Sequence, residues 1–242
     1  LPAPLVSLRS SSTIRSAGNL RLGVIPTAGP YILPDITPAL ARTFPDLTLL
    51  WSEERTSVLM HELHGGDLDG AIVALEAHLG DCEHAVLGWD PFVLAASPHH
   101  PLVRSRAAAT LPELDGAAVL LLDDGHCFRE QVLSLCARGR ATEMSFRATS
   151  LSTLVQMASA GAGVTLLPSL ALPVENRRSQ LRVRRFASPG PGRTLALAWR
   201  RGSAFRMPLN RLAETIRATL AQKRPVTTRR SRTAAGGAAV LE

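Results

Sequence analysis

Apolar and polar residues alternate along the first third of the chain in a repeating strand and helix rhythm. Leu20, Leu22 and Val24 alternate with other residues at the period of a half-buried strand. The next run, Ile32–Phe44, has apolar residues at helical spacing and stops before Pro45. The same periods predict a strand at Leu47–Trp51, a helix at Ser57–His64 that ends at Gly65–Gly66, and a buried strand at Gly70–Leu75. This β-α-β-α-β order implies a parallel sheet with helices on its faces.

The rhythm breaks in the middle of the chain and then starts again. Two short strands, Ala85–Gly88 and Phe92–Ala96, are predicted on either side of Trp89–Asp90–Pro91. A second α/β series follows, with strands at Ala118–Leu122, Glu143–Ala148, Val164–Leu167, Leu181–Phe186 and Thr194–Trp199, and helices at Phe128–Ala137, Leu151–Ala160 and Met207–Gln222. Two such units joined by strand-like crossovers predict two lobes with a cleft between them, where α/β folds bind ligands.

The positive charge of the chain is concentrated at its two ends. The 242 residues carry 27 Lys and Arg against 20 Asp and Glu, a formal charge of +7 and a pI near 10.7. Residues 1–19 and 223–242 account for six of these seven charges, and their composition is typical of linkers and disordered tails. The body between them is close to neutral. With aromatic residues at 4%, it does not have the profile of a nucleic-acid-binding surface.

Cysteine content and hydropathy restrict the class of protein further. Three cysteines are too few, and odd in number, for a secreted disulfide scaffold. No apolar run approaches the roughly 20 residues of a membrane span, and the first residues lack the pattern of a signal peptide. We therefore expect a cytoplasmic protein that does not associate with membranes.

The segment from Asp123 to Cys136 contains the residues that are best suited to carry out a chemical reaction. It follows a predicted strand and opens a predicted helix with Asp124 at the N-cap, so that Cys127 falls in the first helical turn. Helix N-terminal amides lower the pKa of a thiol, and Arg129 or a charged His126 would add to that effect. Asp123 and Asp124 oppose it, so the net direction stays open. A thiolate at this position could attack a peroxide and become a sulfenic acid.

Cys136 lies nine residues after Cys127 in the same predicted helix. Nine residues of intact helix rise about 13.5 Å, whereas a disulfide needs Cα atoms within roughly 7 Å of each other. A disulfide between these cysteines and the intact helix therefore exclude each other, which would make the segment a switch. The alternative is that both cysteines are small buried hydrophobic residues, and Cys136 on the apolar helix face fits that interpretation well.

Several motifs in order resemble one known family. Gly125–Gln131, with Cys136 nine positions after Cys127, is similar to the redox segment of the LysR-type transcription regulators that sense hydrogen peroxide. Further similar stretches are Leu22–Tyr31, Phe146–Leu151 and Ala160–Pro168, the last of which is common to LysR-type effector domains generally. The resemblance covers about residues 20–222.

The resemblance implies a fold, a reaction and a set of site residues. The fold would be α/β, with two Rossmann-like lobes and crossover strands, like a periplasmic binding protein. Cys127 would be the peroxidatic cysteine and Cys136 the resolving one, and their disulfide would switch quaternary structure and transcription. A small polar pocket around Cys127 would contain the side chains that position peroxide or supply charge: Thr27, Thr56, His126, Gln131 and Arg193. The Thr56 match depends on the short stretch Glu54–Thr56.

The resemblance also predicts how the chain is divided and what it binds. Residues 1–19 would be a linker, 20–95 with 198–222 the first lobe, 96–197 the second lobe with both redox cysteines, and 223–242 a disordered basic tail. The partners would be hydrogen peroxide and further copies of the chain, as a dimer or tetramer. Because the body begins directly with a strand, DNA would be bound only through an absent N-terminal domain. We expect no metal, no cofactor and no enzymatic turnover.

Two other functions and two other residue groups deserve comparison with this prediction. The chain could be a LysR-type domain that senses a small metabolite, with incidental cysteines, or a thiol peroxidase that turns over with a reductant. Cys82 and His84 would be too few ligands for a metal site. His61 and His64 miss the zinc-protease spacing by one residue, so we expect a solvated pair.

Overall fold

The computed structural model describes residues 18–138 and 142–223. Residues 1–17 of the predicted linker, residues 139–141, and residues 224–242 of the predicted tail lie outside this part of the chain. The strands are β1 (Gly18–Val24), β2 (Leu47–Glu53), β3 (Gly70–Ala74), β4 (Cys82–Ala96), β5 (Ala118–Leu122), β6 (Thr142–Ala148), β7 (Val164–Pro168), β8 (Arg182–Arg185) and β9 (Gly192–Arg200).

The helices lie where the apolar period of about 3.6 residues predicts them, with two short additions. They are α1 (Gly29–Thr43), α2 (Thr56–Gly65), α3 (Pro101–Arg104), α4 (Cys127–Arg138), α5 (Leu151–Ser159), α6 (Leu172–Glu175) and α7 (Arg206–Lys223). Helix α1 begins three residues before its predicted start because Pro30 suits the first helical turn. Two single 3-10 turns, Leu111–Leu114 and Ser169–Ala171, were not predicted, and neither were α3 and α6.

The strands form two sheets that share the long strand β4. In the first sheet β1 pairs in parallel with β2 and β3, and β9 runs antiparallel between β3 and β4. In the second sheet β5 pairs in parallel with β6 and β7, and the end of β4 runs antiparallel to β7 and β8. The predicted α/β architecture is confirmed, whereas the residue boundaries of the two lobes stay a prediction.

The prediction of two short strands around Asp90 was wrong, because β4 is continuous from Cys82 to Ala96. Residues Cys82–Pro91 pair with β9 of the first sheet, and Phe92–Ala96 pair with strands of the second. Pro91 has no N–H to donate, and it lies where the strand changes from one set of partners to the other. The strand therefore crosses between the sheets without a loop.

Each sheet packs its own hydrophobic core, and one residue of the second half enters the core of the first. The first core joins β1, α1, α2, β3, β9 and α7, and it also contains Cys127. The second core joins the end of β4, β5, α4, α5 and β7, and it also contains Tyr31 from α1. Cys127 and Tyr31 thus tie the two halves together.

Candidate functional site

Cys127 is the first residue of α4, immediately after the turn that leaves β5. Gly125 in this turn has a φ of +87°, a conformation that favours glycine, and a side chain there would contact Arg55. The helix begins one residue earlier than predicted, at the cysteine itself. Cys127 is a free thiol and 7% exposed.

The thiol of Cys127 packs against the first half of the molecule, although its helix belongs to the second. It contributes to the core around β1, α1 and β3. The next residue, Phe128, faces the opposite core and makes an edge-to-face contact with Phe92, with ring centroids 5.1 Å apart. The start of α4 therefore lies at the junction of the two sheets.

Arg193 on β9 supplies a fully buried positive charge beside the thiol. Its Nε donates to Oδ2 of Asp90 at 3.0 Å, and its two terminal nitrogens donate to the hydroxyl of Thr27 at 2.6 Å and to the carbonyl of Thr27 at 2.8 Å. The guanidinium carbon lies 5.8 Å from the centre of the Phe128 ring. These contacts fix the plane of the guanidinium and connect Thr27 to the charge.

Burial raises the pKa of the Cys127 thiol above its usual range, even though several neighbours favour the anion. The Thr56 hydroxyl, the Arg193 guanidinium and the Phe128 backbone N–H lower this pKa, and Glu130 raises it further. The net direction, which the sequence left open, is upward because removal from water disfavours the charged sulfur more than these neighbours favour it. The resting thiol is therefore mostly protonated at neutral pH.

Two residues next to Cys127 in the sequence, His126 and Arg129, do not supply the positive charge that was expected beside the thiol. His126 is buried, and burial together with the positive charge of Arg55 lowers its pKa, so the ring is neutral at pH 7. Arg129 is buried and points elsewhere, with ion pairs to Asp124 at 2.9 Å and Glu143 at 2.8 Å. Asp124 is not the N-cap either, because α4 begins after His126 and the Asp124 carboxylate is held by Arg129 and Arg147.

Two polar side chains of the predicted site are buried and make no hydrogen bond of ordinary length and angle among the described residues, although Thr56 interacts with the Cys127 sulfur. They are the hydroxyl of Thr56, the first residue of α2, and both polar atoms of the Gln131 amide. Gln131 follows Cys127 by four residues, so both lie on one helix face. Buried polar groups in proteins nearly always find a partner. These groups can bind a small ligand that both donates and accepts hydrogen bonds.

Cys136 lies on the same unbroken helix as Cys127, and its side chain is outside the described part of the structure. The nine-residue rise of about 13.5 Å therefore separates the two backbone positions. In this arrangement the two cysteines cannot form a disulfide, as the sequence predicts.

Three contacts were missed by sequence reasoning, one between β4 and β9 of the first sheet and two between the halves of the molecule. Asp90 bonds Arg193, Arg55 forms an ion pair with Asp123 at 3.7 Å, and Tyr31 donates to Glu175 at 2.7 Å. Burial and the Glu175 carboxylate raise the pKa of Tyr31. An acidic residue between two apolar strand segments and the single tyrosine of the chain were the available signals.

The other groups considered from the sequence lie apart from this site. The sulfur of Cys82 is 3.7 Å from Nε2 of His64. Within residues 18–138 and 142–223 no group of three or more His, Cys, Asp and Glu side chains is arranged to hold a metal ion. Across the same residues no helix is long and apolar enough to cross a membrane.

Comparison with known proteins identifies close relatives over most of the chain. The profile of the LysR substrate binding domain matches residues 14–221. The chain is 41% identical over 205 residues to the DNA-binding transcriptional dual regulator OxyR of Escherichia coli K12, covering 84% of this chain and 67% of that protein. The chain thus spans about two thirds of the length of this curated relative.

Two solved structures are also similar. One is the reduced form of OxyR, with 41% identity and a TM-score of 0.77, covering 85% of this chain and 97% of that one. The other is a hydrogen-peroxide-bound mutant of OxyR from Corynebacterium glutamicum, with 31% identity and a TM-score of 0.80, covering 88% of this chain and 68% of that one. The predicted fold class is confirmed by these matches.

Proposed function

We propose that this chain, which belongs to the LysR substrate binding domain family, is a redox-sensing regulatory domain in which hydrogen peroxide oxidises Cys127. The observation that carries the proposal is a buried free thiol at a helix N-terminus, with the Arg193 guanidinium and the Thr56 hydroxyl both favouring its anion. Similarity to OxyR in its reduced form and to a peroxide-bound OxyR supports the choice of oxidant.

The first step consumes one peroxide. The Cys127 sulfur attacks one peroxide oxygen and the O–O bond breaks. That oxygen stays on the sulfur as a sulfenic acid, and the other leaves as water after taking up a proton. Thr56 and Gln131 supply hydrogen-bonding groups for the peroxide, Arg193 stabilises the negative sulfur, and Thr27 holds Arg193. His126 is neutral at pH 7 and lines the site without adding charge.

The second step joins the two cysteines. The Cys136 thiol attacks the sulfur of the sulfenic acid, a disulfide forms, and the second peroxide oxygen leaves as water. Since about 13.5 Å separates the two positions on an intact helix, α4 must unwind between them. The chain-entropy model gives a bias of about 2–3 kcal/mol for closing so short a loop. Oxidation therefore replaces one local fold with another.

Unwinding of α4 changes the surface that the second half presents to other copies of the chain. We expect the oligomer, a dimer or tetramer, to change its arrangement, and DNA contacts made by a separate domain to change with it. The protein is a cytoplasmic regulator whose thiol reacts once and then waits for external reduction. It needs no metal or cofactor for this reaction.

Thiol counting tests the proposal directly. The wild-type chain is treated with hydrogen peroxide, alkylated after unfolding, and weighed intact, with peptide mapping of the disulfide. We expect two alkylation sites to disappear in the wild type and in Cys82→Ser, and none to be lost to a disulfide in Cys127→Ser. An unchanged number of labels in the wild type would contradict the proposal.

Two alternative functions give different results in the same preparation. The family description, a substrate binding domain, favours a small organic ligand as the second candidate. A thermal shift with such a ligand, together with unreactive cysteines, would support that function. A thiol peroxidase would consume peroxide continuously in the presence of a dithiol reductant, whereas a sensor consumes about one equivalent and stops.

A further inference from the structure

Asp90 lies at the point where β4 passes from the first sheet to the second. It is 2% exposed and pairs directly with Arg193 across the antiparallel β4 and β9 strands. The next residue along the partner strand is Gly192, which packs against the indole of Trp89 with no room for a side chain. The backbone around this pair is therefore closely packed, and the two side chains face each other inside the protein.

The two carboxylate oxygens of Asp90 hold groups from the two halves of the molecule. Oδ2 accepts from Nε of Arg193 on β9 at 3.0 Å. Oδ1 accepts from the backbone N–H of Leu170 at 3.1 Å, in the 3-10 turn that follows β7 of the second sheet. Both sheets thus hold the Asp90 carboxylate in place, and the carboxylate in turn holds the Arg193 guanidinium.

Arg193 has no contact with water, so its orientation depends on these buried partners. With Nε bound to Asp90, its terminal nitrogens are directed to Thr27 and its charge lies near enough to lower the pKa of Cys127. Removal of the carboxylate would leave a buried cation without its opposite charge, and the guanidinium would turn toward water or another acceptor.

We propose that Asp90 is a positioning residue that holds Arg193 in the orientation that favours the Cys127 thiolate. As a step in peroxide sensing, this role rests on the proposed function. Asp90 touches neither the sulfur nor the oxidant in this account, and it acts through Arg193. The junction of β4 thereby couples the packing of the two sheets to the reactivity of the thiol.

The direct and the indirect effect of Asp90 on the thiol have opposite signs, which makes the proposal testable. If Arg193 stayed in place, removal of a neighbouring negative charge would favour the thiolate and move the titration of Cys127 to lower pH. If Asp90 positions Arg193, its removal costs the thiolate that stabilisation and moves the titration to higher pH. The sign of the shift distinguishes the two.

The experiment measures the iodoacetamide alkylation rate of Cys127 against pH by peptide mass spectrometry, in the full chain. In Asp90→Asn we expect the midpoint to rise by about one unit, and the rate at neutral pH to fall about tenfold. Asp69→Asn is the matched control, because Asp69 is also buried and bonds an arginine, Arg21, away from the thiol. The control should keep the wild-type midpoint. A fall in the midpoint of Asp90→Asn, or no change, would overturn the proposal.

A second comparison avoids dependence on one variant that leaves a buried charge unpaired. Arg193→Gln should itself raise the midpoint, and adding Asp90→Asn to it should cause no further rise. A further rise in the double variant would overturn the proposal, since Asp90 would then act without Arg193. Alkylation does not involve peroxide, so a wild-type thiol that alkylates normally but ignores peroxide would contradict the proposed function and leave this result standing.

Discussion

Replacement of Thr56 by valine separates the reactivity of the site from the stability of the fold. Valine has nearly the shape of threonine and lacks the hydroxyl, so packing at the start of α2 is retained. The Thr56 hydroxyl is buried and interacts with the Cys127 sulfur, whose pKa it lowers, but it makes no hydrogen bond of ordinary length and angle to a described residue. We therefore expect a more stable protein with a less reactive thiol.

The magnitudes follow from the cost of a buried hydroxyl. An unsatisfied buried polar group costs about 1–3 kcal/mol, so its removal should raise the free energy of unfolding by about 1 kcal/mol. For a domain of this size that corresponds to a rise in Tm of about 2–4 °C. Loss of a group that favours the thiolate by about 1 kcal/mol should slow oxidation by peroxide about fivefold at pH 7.

Thr165→Val is the matched control for the same chemical change. The Thr165 hydroxyl is buried in the second sheet and satisfied, since it lies 3.1 Å from the carbonyl of Leu120. Its loss should lower the free energy of unfolding by about 1 kcal/mol and leave the oxidation rate of Cys127 unchanged. Urea unfolding and stopped-flow thiol oxidation measure the two quantities. Destabilisation of Thr56→Val equal to that of Thr165→Val, or oxidation of Thr56→Val at the wild-type rate, would contradict the role of the Thr56 hydroxyl.

Three further predictions concern the raised pKa of Cys127, which gives two of them, and the Tyr31 contact between the halves of the molecule. Because the folded state raises this pKa, the oxidation rate should increase about tenfold per pH unit near neutrality. For the same reason the stability that the buried thiol contributes is complete below the unfolded pKa of about 8.5 and is lost as pH rises through the folded pKa. The difference in unfolding free energy between the wild type and Cys127→Ser should therefore be constant below about pH 8 and shift against the wild type as pH rises further, and a difference that stays constant to high pH would contradict this. Tyr31→Phe should lower the free energy of unfolding by about 1–2 kcal/mol through loss of the bond to Glu175, whereas Ser152→Ala, which removes an exposed bond to the same carboxylate, should cost less than about 0.5 kcal/mol. Equal effects of these two substitutions in thermal unfolding would show that the tyrosine bond is not special.

The fold was predictable where local periodicity determines the structure. The strands and helices from β1 to β3 follow from apolar spacing, with helix ends at Pro45 and Gly66 that have clear steric causes. The continuity of β4 was not predictable, because a proline in the sequence suggests an interruption. Its partners β7, β8 and β9 come from more than sixty residues later in the chain, so only the assembled sheets show that Pro91 stands at a change of partner.

The local structure around Cys127 was predictable from the sequence, and its electrostatics were less so. The local sequence predicts a helix from Phe128, and the observed helix begins one residue earlier, at Cys127. The charge beside the thiol does not follow from the local sequence, because Arg129, two residues away, is held by Asp124 and Glu143, whereas Arg193 comes from another strand. The direction of the Cys127 pKa depends on how deeply the first core encloses it, which is a property of tertiary packing.

Burial lowers the reactivity of the Cys127 thiol. The same burial explains how oxidation of this thiol would change the structure around α4. A solvent-exposed thiolate would react faster, but an added oxygen there would disturb nothing. The sulfur of Cys127 lies in the core of the first sheet while its helix belongs to the second, and cores are packed too closely to accept an extra polar atom without rearrangement. In the reaction proposed above, oxidation would therefore destabilise the position of α4 while a disulfide to Cys136 would stabilise an alternative one. A raised resting pKa is then the consequence of placing the reactive atom where its modification has a structural effect.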